Sequence, residues 1–455
     1  MEELLVFGLV LRHREIFASI SLHLISKTLH EHQSSQDVAV ISFLEEETLC
    51  LWSIRITAER TMENLRREII VDVLSRLTVK DLLRYRKVCK AWRSLIDGPD
   101  FIKIHLDRSK KTNSNNGIVL TGRDLYWVDS GSLDSAVRLD PPLDSKKGID
   151  VGGSCNGLLA LVNTKGDMAF WNPSTRRYRG LPISSLECPS GFGLYKLKMI
   201  GFGYDPINDD HKLLRMVNFS SVESDEYFFQ SHAGVYSLRA KTWKRIKDFP
   251  CLLIPHHVCG VSFCNALHWV ATRKSGTCEF SDSVFAYDLV TEDCRELSLP
   301  DYTKNCGICT MKVVELGDWL CVVGNFKRED EKAVLVEIWA MKEYGVKESW
   351  TKLFSVVPSN HVTGPFGYLI PLAYFKGSDD DKVLLNVDGE KFLLYDMKGR
   401  RIQSVTILGC PRSFDHTSVS CVESLVGVDG GYEEINTKKQ AGENRNKKEK
   451  QQPRK

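Results

Sequence analysis

The sequence predicts an α+β multidomain protein in which a small three-helix unit is followed by an all-β, propeller-like domain of about six blades. Three observations lead to this fold class. Strong helical periodicity is confined to residues 62–111. From about residue 115, short β-branched and aromatic runs alternate with Gly, Asn, Asp and Pro. An aromatic phrase recurs along this second part, which indicates a repeat architecture.

The helical unit is amphipathic. The first predicted helix carries an apolar stripe at four-residue spacing, formed by Leu65, Ile69, Val73 and Leu77. Asp81 offers a short polar side chain at the start of a second helix, and Val88 and Trp92 line a third, which closes at Asp97-Gly98-Pro99. A core of about forty residues is too small to be very stable alone. We therefore expect this unit to be completed by a partner.

The repeated phrase consists of an apolar run, an aromatic anchor, a polar turn and a closing apolar residue. The anchors are Trp127, Trp171, Tyr236, Tyr287, Trp339 and Tyr395. Their mean spacing of about 54 residues is close to the roughly 50 residues of kelch-type blades. Each phrase is predicted to form the outer hairpin of a four-stranded blade, with its aromatic residues packed between neighbouring sheets. Two β-sandwich domains would also fit the number of strands.

Composition and charge exclude several classes of protein. Apolar runs fall well short of the roughly 18 residues that span a bilayer, so no membrane partner is expected. Residues 62–111 carry a net charge of +6, against −4 for residues 1–61, which indicates modules with different partners. The closest pair of cysteines, Cys306 and Cys309, has no second pair with which to hold zinc, so we expect no metal and no other cofactor, and reduced thiols.

Two groups of motifs resemble a known family. The first runs from Leu65-Arg66-Arg67-Glu68-Ile69-Ile70 through Leu82-Leu83-Arg84-Tyr85-Arg86 to Val88-Cys89-Lys90-Ala91-Trp92. The second comprises Gly153-Ser154-Cys155-Asn156-Gly157-Leu158, Trp171-Asn172-Pro173-Ser174-Thr175, Gly201-Phe202-Gly203-Tyr204-Asp205-Pro206 and Asn265-Ala266-Leu267-His268-Trp269. Together they resemble plant F-box proteins with a C-terminal F-box-associated, kelch-like β-propeller domain. The resemblance covers roughly residues 62–430.

The resemblance implies a non-catalytic subunit of a Skp–cullin–F-box (SCF) ubiquitin ligase. The F-box would dock a Skp-family adaptor, and through it a cullin and a RING subunit, while the propeller would bind a protein substrate for ubiquitination. The expected location is the nucleus, the cytoplasm or both. The adaptor-facing candidates are Leu65, Arg66, Ile69, Leu77, Thr78, Val79, Leu82 and Leu83. Val88, Cys89 and Trp92 are predicted to form the F-box core.

Two positions depart from the family pattern. The family usually has proline where this chain has Arg66 and Thr78. Because proline fixes φ and stiffens a loop, these departures predict weaker adaptor docking, and restoring both prolines should tighten it several-fold. The sequence leaves open the identity of the substrate, the face that binds it and the exact number of blades.

The predicted domains are an N-terminal extension (1–61), the F-box (62–108), the F-box-associated domain (115–430) and a basic tail (431–455). We expect the extension to be poorly ordered and dispensable, and the sequence does not tell whether it belongs to the native protein or results from a mistaken start codon before Met62. The tail is predicted to be disordered, and it lacks the aromatic residues that stack on bases, so no nucleic acid is expected.

Two other functions stay open: an enzyme built on a propeller, and a protein-interaction scaffold outside any ligase. No motif fixes a convergent catalytic set. His268 lies in a strand-like phrase and is predicted to be structural, and the doublet His256-His257 faces opposite ways on an extended chain. The polar segments Asn218–Glu226 and Arg273–Asp282 are long enough to recognise a substrate.

Overall fold

A computed structural model describes most of the chain after its first 66 residues. The chain divides into two compact units, residues 1–101 and residues 102–455. The described ranges are 67–144, 148–182, 192–221, 229–246, 252–255, 259–274, 280–302, 307–327, 334–358, 363–377, 381–410 and 418–428. The predicted N-terminal extension and basic tail lie outside them.

Four helices lie near the start of the described chain: α1 (Arg67–Leu74), α2 (Val79–Tyr85), α3 (Lys90–Ile96) and α4 (Pro99–Thr112). The sequence pattern predicts only three, because Asp97-Gly98-Pro99 is a typical end of a helical unit. Pro99 instead occupies the first position of α4, where a missing N–H leaves no intrahelical bond unmade. Lys110 and Lys111 in the last turn of α4 favour the negative end of its dipole.

The rest of the described chain is almost entirely β-structure. In chain order the strands are β1 (Asn116–Thr121), β2 (Leu125–Asp129), β3 (Ala136–Arg138), β4 (Ile149–Cys155), β5 (Leu158–Asn163), β6 (Met168–Asn172), β7 (Arg177–Gly180), β8 (Phe192–Asp205), β9 (Asp210–Ser221), β10 (Phe229–Ser237), β11 (Thr242–Arg245), β12 (Leu252–Pro255), β13 (Val261–Phe263), β14 (Ala266–Lys274), β15 (Phe280–Asp288), β16 (Cys294–Leu297), β17 (Gly307–Leu316), β18 (Trp319–Lys327), β19 (Val334–Met341), β20 (Trp350–Val356), β21 (Leu369–Phe375), β22 (Lys382–Val387), β23 (Lys391–Asp396), β24 (Arg401–Val405) and β25 (Val419–Val422).

These strands form six antiparallel sheets, which confirms the predicted propeller of about six blades. Blades 2, 3, 5 and 6 are β4–β7, β8–β11, β17–β20 and β21–β24, and blade 4 is β12–β16. Blade 1 combines β1–β3 with the C-terminal strand β25, so the two ends of the propeller sequence share one sheet. One strand of each blade contacts those of its two neighbours around a closed ring, in the order β25, β4, β8, β13, β17 and β21. Ring closure removes the inner sheet edges.

The aromatic phrase corresponds to the outer hairpin of each blade, as predicted. Each of the six anchors lies in the third strand of its sheet, and each phrase ends in or next to the fourth strand. In blades 2 and 3 the anchor pairs directly with a second aromatic residue, as Trp171 with Tyr178 and Tyr236 with Trp243. Six apolar clusters, one between each neighbouring pair of blades, make up the core. Each repeat therefore buries its apolar faces only against its neighbours.

The turns of five of the outer hairpins share one hydrogen-bonding pattern. The last residue of the third strand accepts turn N–H groups through its side chain, and the residue four positions later is left-handed. The accepting residues include Asp129, Asn172, Ser237, Asp288 and Asp396. The left-handed residues are Leu133, Arg176, Lys241, Glu292 and Arg400. Short polar side chains form such turns because they replace a backbone acceptor.

Two-residue turns connect the inner hairpins of blades 2 and 4. Asn156 and Gly157 form the first, with φ of 54° and 81°. In blade 4 the family glycine is replaced by Ala266, and the turn consists of Cys264 and Asn265 instead, with φ of 46° and 59°. Alanine disfavours positive φ, so the turn lies one residue earlier and Ala266 begins the strand.

Candidate protein-docking surfaces

The second helix begins at a side-chain cap. Thr78 is the N-cap of α2, and its Oγ1 accepts a hydrogen bond from the N–H of Asp81 at 3.2 Å. The sequence pattern favours Asp81 at the start of this helix, but Asp81 lies in the first turn and accepts a hydrogen bond from Thr78 Oγ1 at 2.9 Å. The φ of Thr78 is −68°, which is within the range that a proline ring imposes. Thr78 is therefore an exposed cap residue with a φ that proline could also adopt.

The adaptor-facing candidates divide between core and surface. Val79 and Leu82 are 1% and 0% exposed, so in this structure they are core residues and offer no surface to a partner. Leu77 and Leu83 are half-buried and Thr78 is exposed. Leu82 and Leu83 differ in burial because adjacent residues on a helix point about 100° apart, so only one of them faces the core. Leu65 and Arg66 lie outside the described residues, as does the side chain of Ile69 in α1.

Val88, Cys89 and Trp92 are buried in the helical unit. Cys89 is the N-cap of α3, and its Sγ accepts a hydrogen bond from the N–H of Trp92 at 3.4 Å. The indole of Trp92 packs edge-on against Tyr85, with ring centroids 5.5 Å apart. This aromatic contact joins α3 to the end of α2.

An ion pair that the sequence pattern does not reveal joins the same two helices. Arg86 follows α2 and Asp97 follows α3; their Nε–Oδ1 and Nη2–Oδ2 distances are 2.5 and 2.9 Å. Both side chains are largely buried, which makes this pair stronger than exposed pairs such as Arg84 with Asp81. The same stretch of chain carries four exposed cations, Lys80, Lys87, Lys90 and Arg93. The surface of α2 and α3 thus combines half-buried leucines with positive charge.

In the propeller, the motif Gly153–Leu158 joins three parts of the second unit. The amide of Asn156 accepts a hydrogen bond from Lys110 Nζ of α4 at 2.5 Å. It also donates to Nε2 of His211 at 3.2 Å, and its backbone carbonyl accepts from Ser424 Oγ at 2.7 Å. Burial lowers the pKa of His211 to about 4, so the ring is neutral and can accept this bond. The motif is a structural junction.

Asn172, in the motif Trp171–Thr175, links blade 2 to the C-terminal segment. Its Oδ1 accepts from the N–H groups of Ser174 and Thr175, and its Nδ2 donates to the carbonyls of Ser424 at 3.0 Å and Val426 at 2.9 Å. Sequence reasoning missed this role. The sequence contains a signal for it: blades 1, 4 and 6 have aspartate at this position, and an amide, unlike a carboxylate, can donate as well as accept.

Both ring nitrogens of the structural residue His268 have hydrogen-bonding partners. Its Nε2 accepts from the hydroxyl of Tyr344 at 2.6 Å, and its Nδ1 lies 3.3 Å from the carbonyl of Val261. Burial lowers the pKa of His268 to about 4, so the imidazole is neutral at physiological pH. The doublet His256-His257 lies outside the described residues.

Metal-ligating side chains do not cluster in the described ranges. No group of three or more His, Cys, Asp or Glu side chains there could hold a metal ion. The cysteines with described side chains are free, and burial raises the pKa of Cys421 to about 12, which keeps its thiol protonated. Within the same ranges, none of the helices has the length and apolar content of a membrane span.

The two predicted recognition segments lie on one face of the propeller. Asn218–Glu226 connects β9 to β10 and Arg273–Asp282 connects β14 to β15, both from the second to the third strand of a blade. All such connections lie on the same face, because the strands of each blade alternate in direction. The tips of both segments, residues 222–228 and 275–279, are outside the described residues. The opposite face carries the two-residue turn of Asn156 and Gly157.

Comparison with protein families identifies both units. A family described as the F-box domain matches residues 62–104. A second family, described as the F-box associated beta propeller domain, matches residues 130–428.

Individual relatives give the same result. F-box protein CPR1 of Arabidopsis thaliana is 34% identical, over 83% of this chain and 93% of that protein. F-box protein At4g22390 of the same plant is 31% identical, over 79% of this chain and 89% of that protein. F-box/kelch-repeat protein At3g23880 is 29% identical, over 64% of this chain and 79% of that protein.

Proposed function

Because this chain belongs to the F-box proteins that carry a C-terminal F-box associated β-propeller domain, we propose that it is a substrate-recognition subunit of an SCF ubiquitin ligase. One observation carries the proposal: a single chain contains an F-box helical unit and a separate six-bladed propeller. The first has the size of a module that is completed by a partner, and the second offers a large, rigid surface.

In this proposal, the F-box docks a Skp-family adaptor, which brings a cullin and a RING subunit. Leu77 and Leu83 are half-buried, so a partner that covers them removes further apolar surface from water. The exposed cations Lys80, Lys87, Lys90 and Arg93 favour an acidic adaptor and speed its encounter. The chain itself supplies binding, and the complex acts in the nucleus, the cytoplasm or both.

The protein substrate is proposed to bind the propeller face that carries the β9–β10 and β14–β15 connections. The strands of these two hairpins are long: β9 has 12 residues, and β10, β14 and β15 have 9 each. Blade 6, by contrast, has strands of 5 to 7 residues. Longer strands extend a hairpin beyond its neighbours, which gives this side of the propeller a raised surface.

The test compares adaptor capture by full-length variants. Leu83→Asp should abolish co-purification with a recombinant Skp adaptor, because an unpaired carboxylate in an apolar interface costs several kcal/mol. Leu83→Met conserves volume and should retain capture. Circular dichroism must show that both variants keep their helices. Capture by a folded Leu83→Asp chain would contradict this docking surface.

A second experiment addresses the substrate. Affinity purification from proteasome-inhibited plant cells, followed by mass spectrometry, should recover adaptor, cullin and proteins that accumulate when degradation is blocked. Recovery of candidate substrates without adaptor or cullin would favour the scaffold outside a ligase. Turnover of a small molecule by the purified chain would favour the propeller enzyme.

A further inference from the structure

We propose that the outer hairpins of blades 2 and 3 form a docking surface for an acidic, extended segment of a partner protein. This surface, here called the basic rim, consists of residues 173–180 and 238–245. It includes β7 and β11, which are the outermost strands of their sheets. The proposal goes beyond adaptor binding and beyond the face assigned to the substrate, and it holds whether or not the chain joins a ligase.

Charge distribution is the first observation. The basic rim contains seven basic residues and no acidic residue: Arg176, Arg177, Arg179, Arg239, Lys241, Lys244 and Arg245. The corresponding hairpin of blade 4, residues 289–297, has one basic and three acidic residues, and that of blade 1, residues 130–138, has one of each. The hairpin of blade 6, residues 397–405, has three basic residues and no acidic residue. What distinguishes blades 2 and 3 is that two such hairpins are adjacent, and their seven basic residues together would concentrate carboxylates there.

The two hairpins are continuous. Trp243 Nε1 of β11 donates a hydrogen bond to the carbonyl of Pro182, two residues after β7, at 2.9 Å. Tyr178 lies between Arg177 and Arg179 and is 46% exposed. An exposed ring between two arginines supplies apolar contact for an extended backbone, while planar guanidinium groups match the geometry of carboxylates.

The border of the rim already binds a carboxylate. Glu292, from the blade 4 turn, places Oε2 2.5 Å from Lys244 Nζ. Nearby side chains hold the pKa of this carboxyl below its usual range through hydrogen bonds from Lys244 and Lys212, against the opposing effect of burial. A single-stranded nucleic acid fits the rim less well. Sites for single strands stack successive bases on several aromatic rings. Among the described residues of the rim, Tyr178 is the one exposed aromatic residue.

The variants can be chosen without disturbing the turns. Arg176, Lys241 and Arg400 occupy equivalent left-handed positions, with φ of 59°, 60° and 50°. Glu292 occupies the same position in blade 4 with φ of 60°, so glutamate is compatible with this conformation. Arg176→Glu combined with Lys241→Glu therefore reverses two charges of the rim, and Arg400→Glu in blade 6 is the matched control.

The experiment measures fluorescence anisotropy of a labelled octapeptide of alternating glutamate and threonine, mixed with the full-length chain. We expect binding that weakens as salt rises from about 0.05 to 0.3 M, and no binding of the glutamine–threonine analogue. The double variant should bind about tenfold more weakly, and Arg400→Glu should bind like the unchanged chain. Equal effects of the two variants, binding of the glutamine analogue, or displacement of the peptide by equimolar single-stranded RNA would each overturn the proposal.

Discussion

Asn172 offers a sharp test of how the propeller ring is closed. In Asn172→Asp the shape of the side chain is kept and Oδ1 still accepts the two turn N–H groups. The variant loses both donations from Nδ2, to the carbonyls of Ser424 and Val426. Asn172 is 0% exposed, so water does not replace the lost donor.

The magnitude follows from these two bonds. A buried carbonyl left without its donor costs about 1–3 kcal/mol, so losing both costs about 2–6 kcal/mol. The repulsion between the new carboxylate and the two carbonyl oxygens adds to this loss. At about 2 °C per kcal/mol for a domain of this size, the melting temperature at pH 7 should fall by at least about 4 °C.

The same variant should show a characteristic pH dependence. A protonated carboxyl can donate to one of the two carbonyls, so its pKa in the folded state is raised above the ordinary value of about 3.9. The folded variant then binds more protons than the unfolded chain. The variant's loss of unfolding free energy relative to the unchanged chain should therefore become smaller as pH falls from about 7 toward 4. Asn172→Ala should show no such recovery.

The assay is thermal unfolding followed by circular dichroism over this pH range. Asp396→Asn is the control, because Asp396 holds the equivalent turn in blade 6 through Oδ1 alone, which an amide retains. Its effect should stay within about 0.5 kcal/mol. If Asn172→Asp melts within about a degree of the unchanged chain at pH 7, the hydrogen bonds to Ser424 and Val426 do not stabilise the closed propeller ring.

Three further outcomes are expected. Thr78→Pro should not tighten adaptor binding measured by calorimetry. The stiffer backbone contributes about 0.4–1 kcal/mol, and the loss of the N-cap costs about 1 kcal/mol. Severalfold tighter binding would instead support the expectation that the family proline strengthens docking. Gly201→Ala should destabilise the propeller, since a Cβ there lies 2.5 Å from the ring of Trp269, whereas Gly180→Ala meets nothing within 4 Å; equal melting temperatures would contradict this packing. The free energy of unfolding should decrease as pH falls from 6.5 to 4, because in this range the imidazole of His268 binds a proton only in the unfolded chain. His268→Gln should make this decrease smaller, and an unchanged pH profile would show that another group titrates.

Local signals determined most of the fold. The aromatic spacing predicted the blades because each outer hairpin is a short, contiguous segment whose pairing and turn depend on neighbouring residues. The F-box phrase likewise located the helical unit, since helix caps and apolar stripes lie within a few residues of each other. Even the shifted turn at Cys264 and Asn265 follows from one local fact, the Cβ of Ala266.

Tertiary structure decided what depends on residues far apart in the chain. The sequence did not reveal that β25 completes blade 1, or that Asn172 binds carbonyls more than 250 positions away. Nor did it separate Val79 and Leu82, which are core, from Leu83, which is half-buried. Apolar residues at a core and at an interface satisfy the same periodicity, and only the packing of other helices determines which side of a helix is covered.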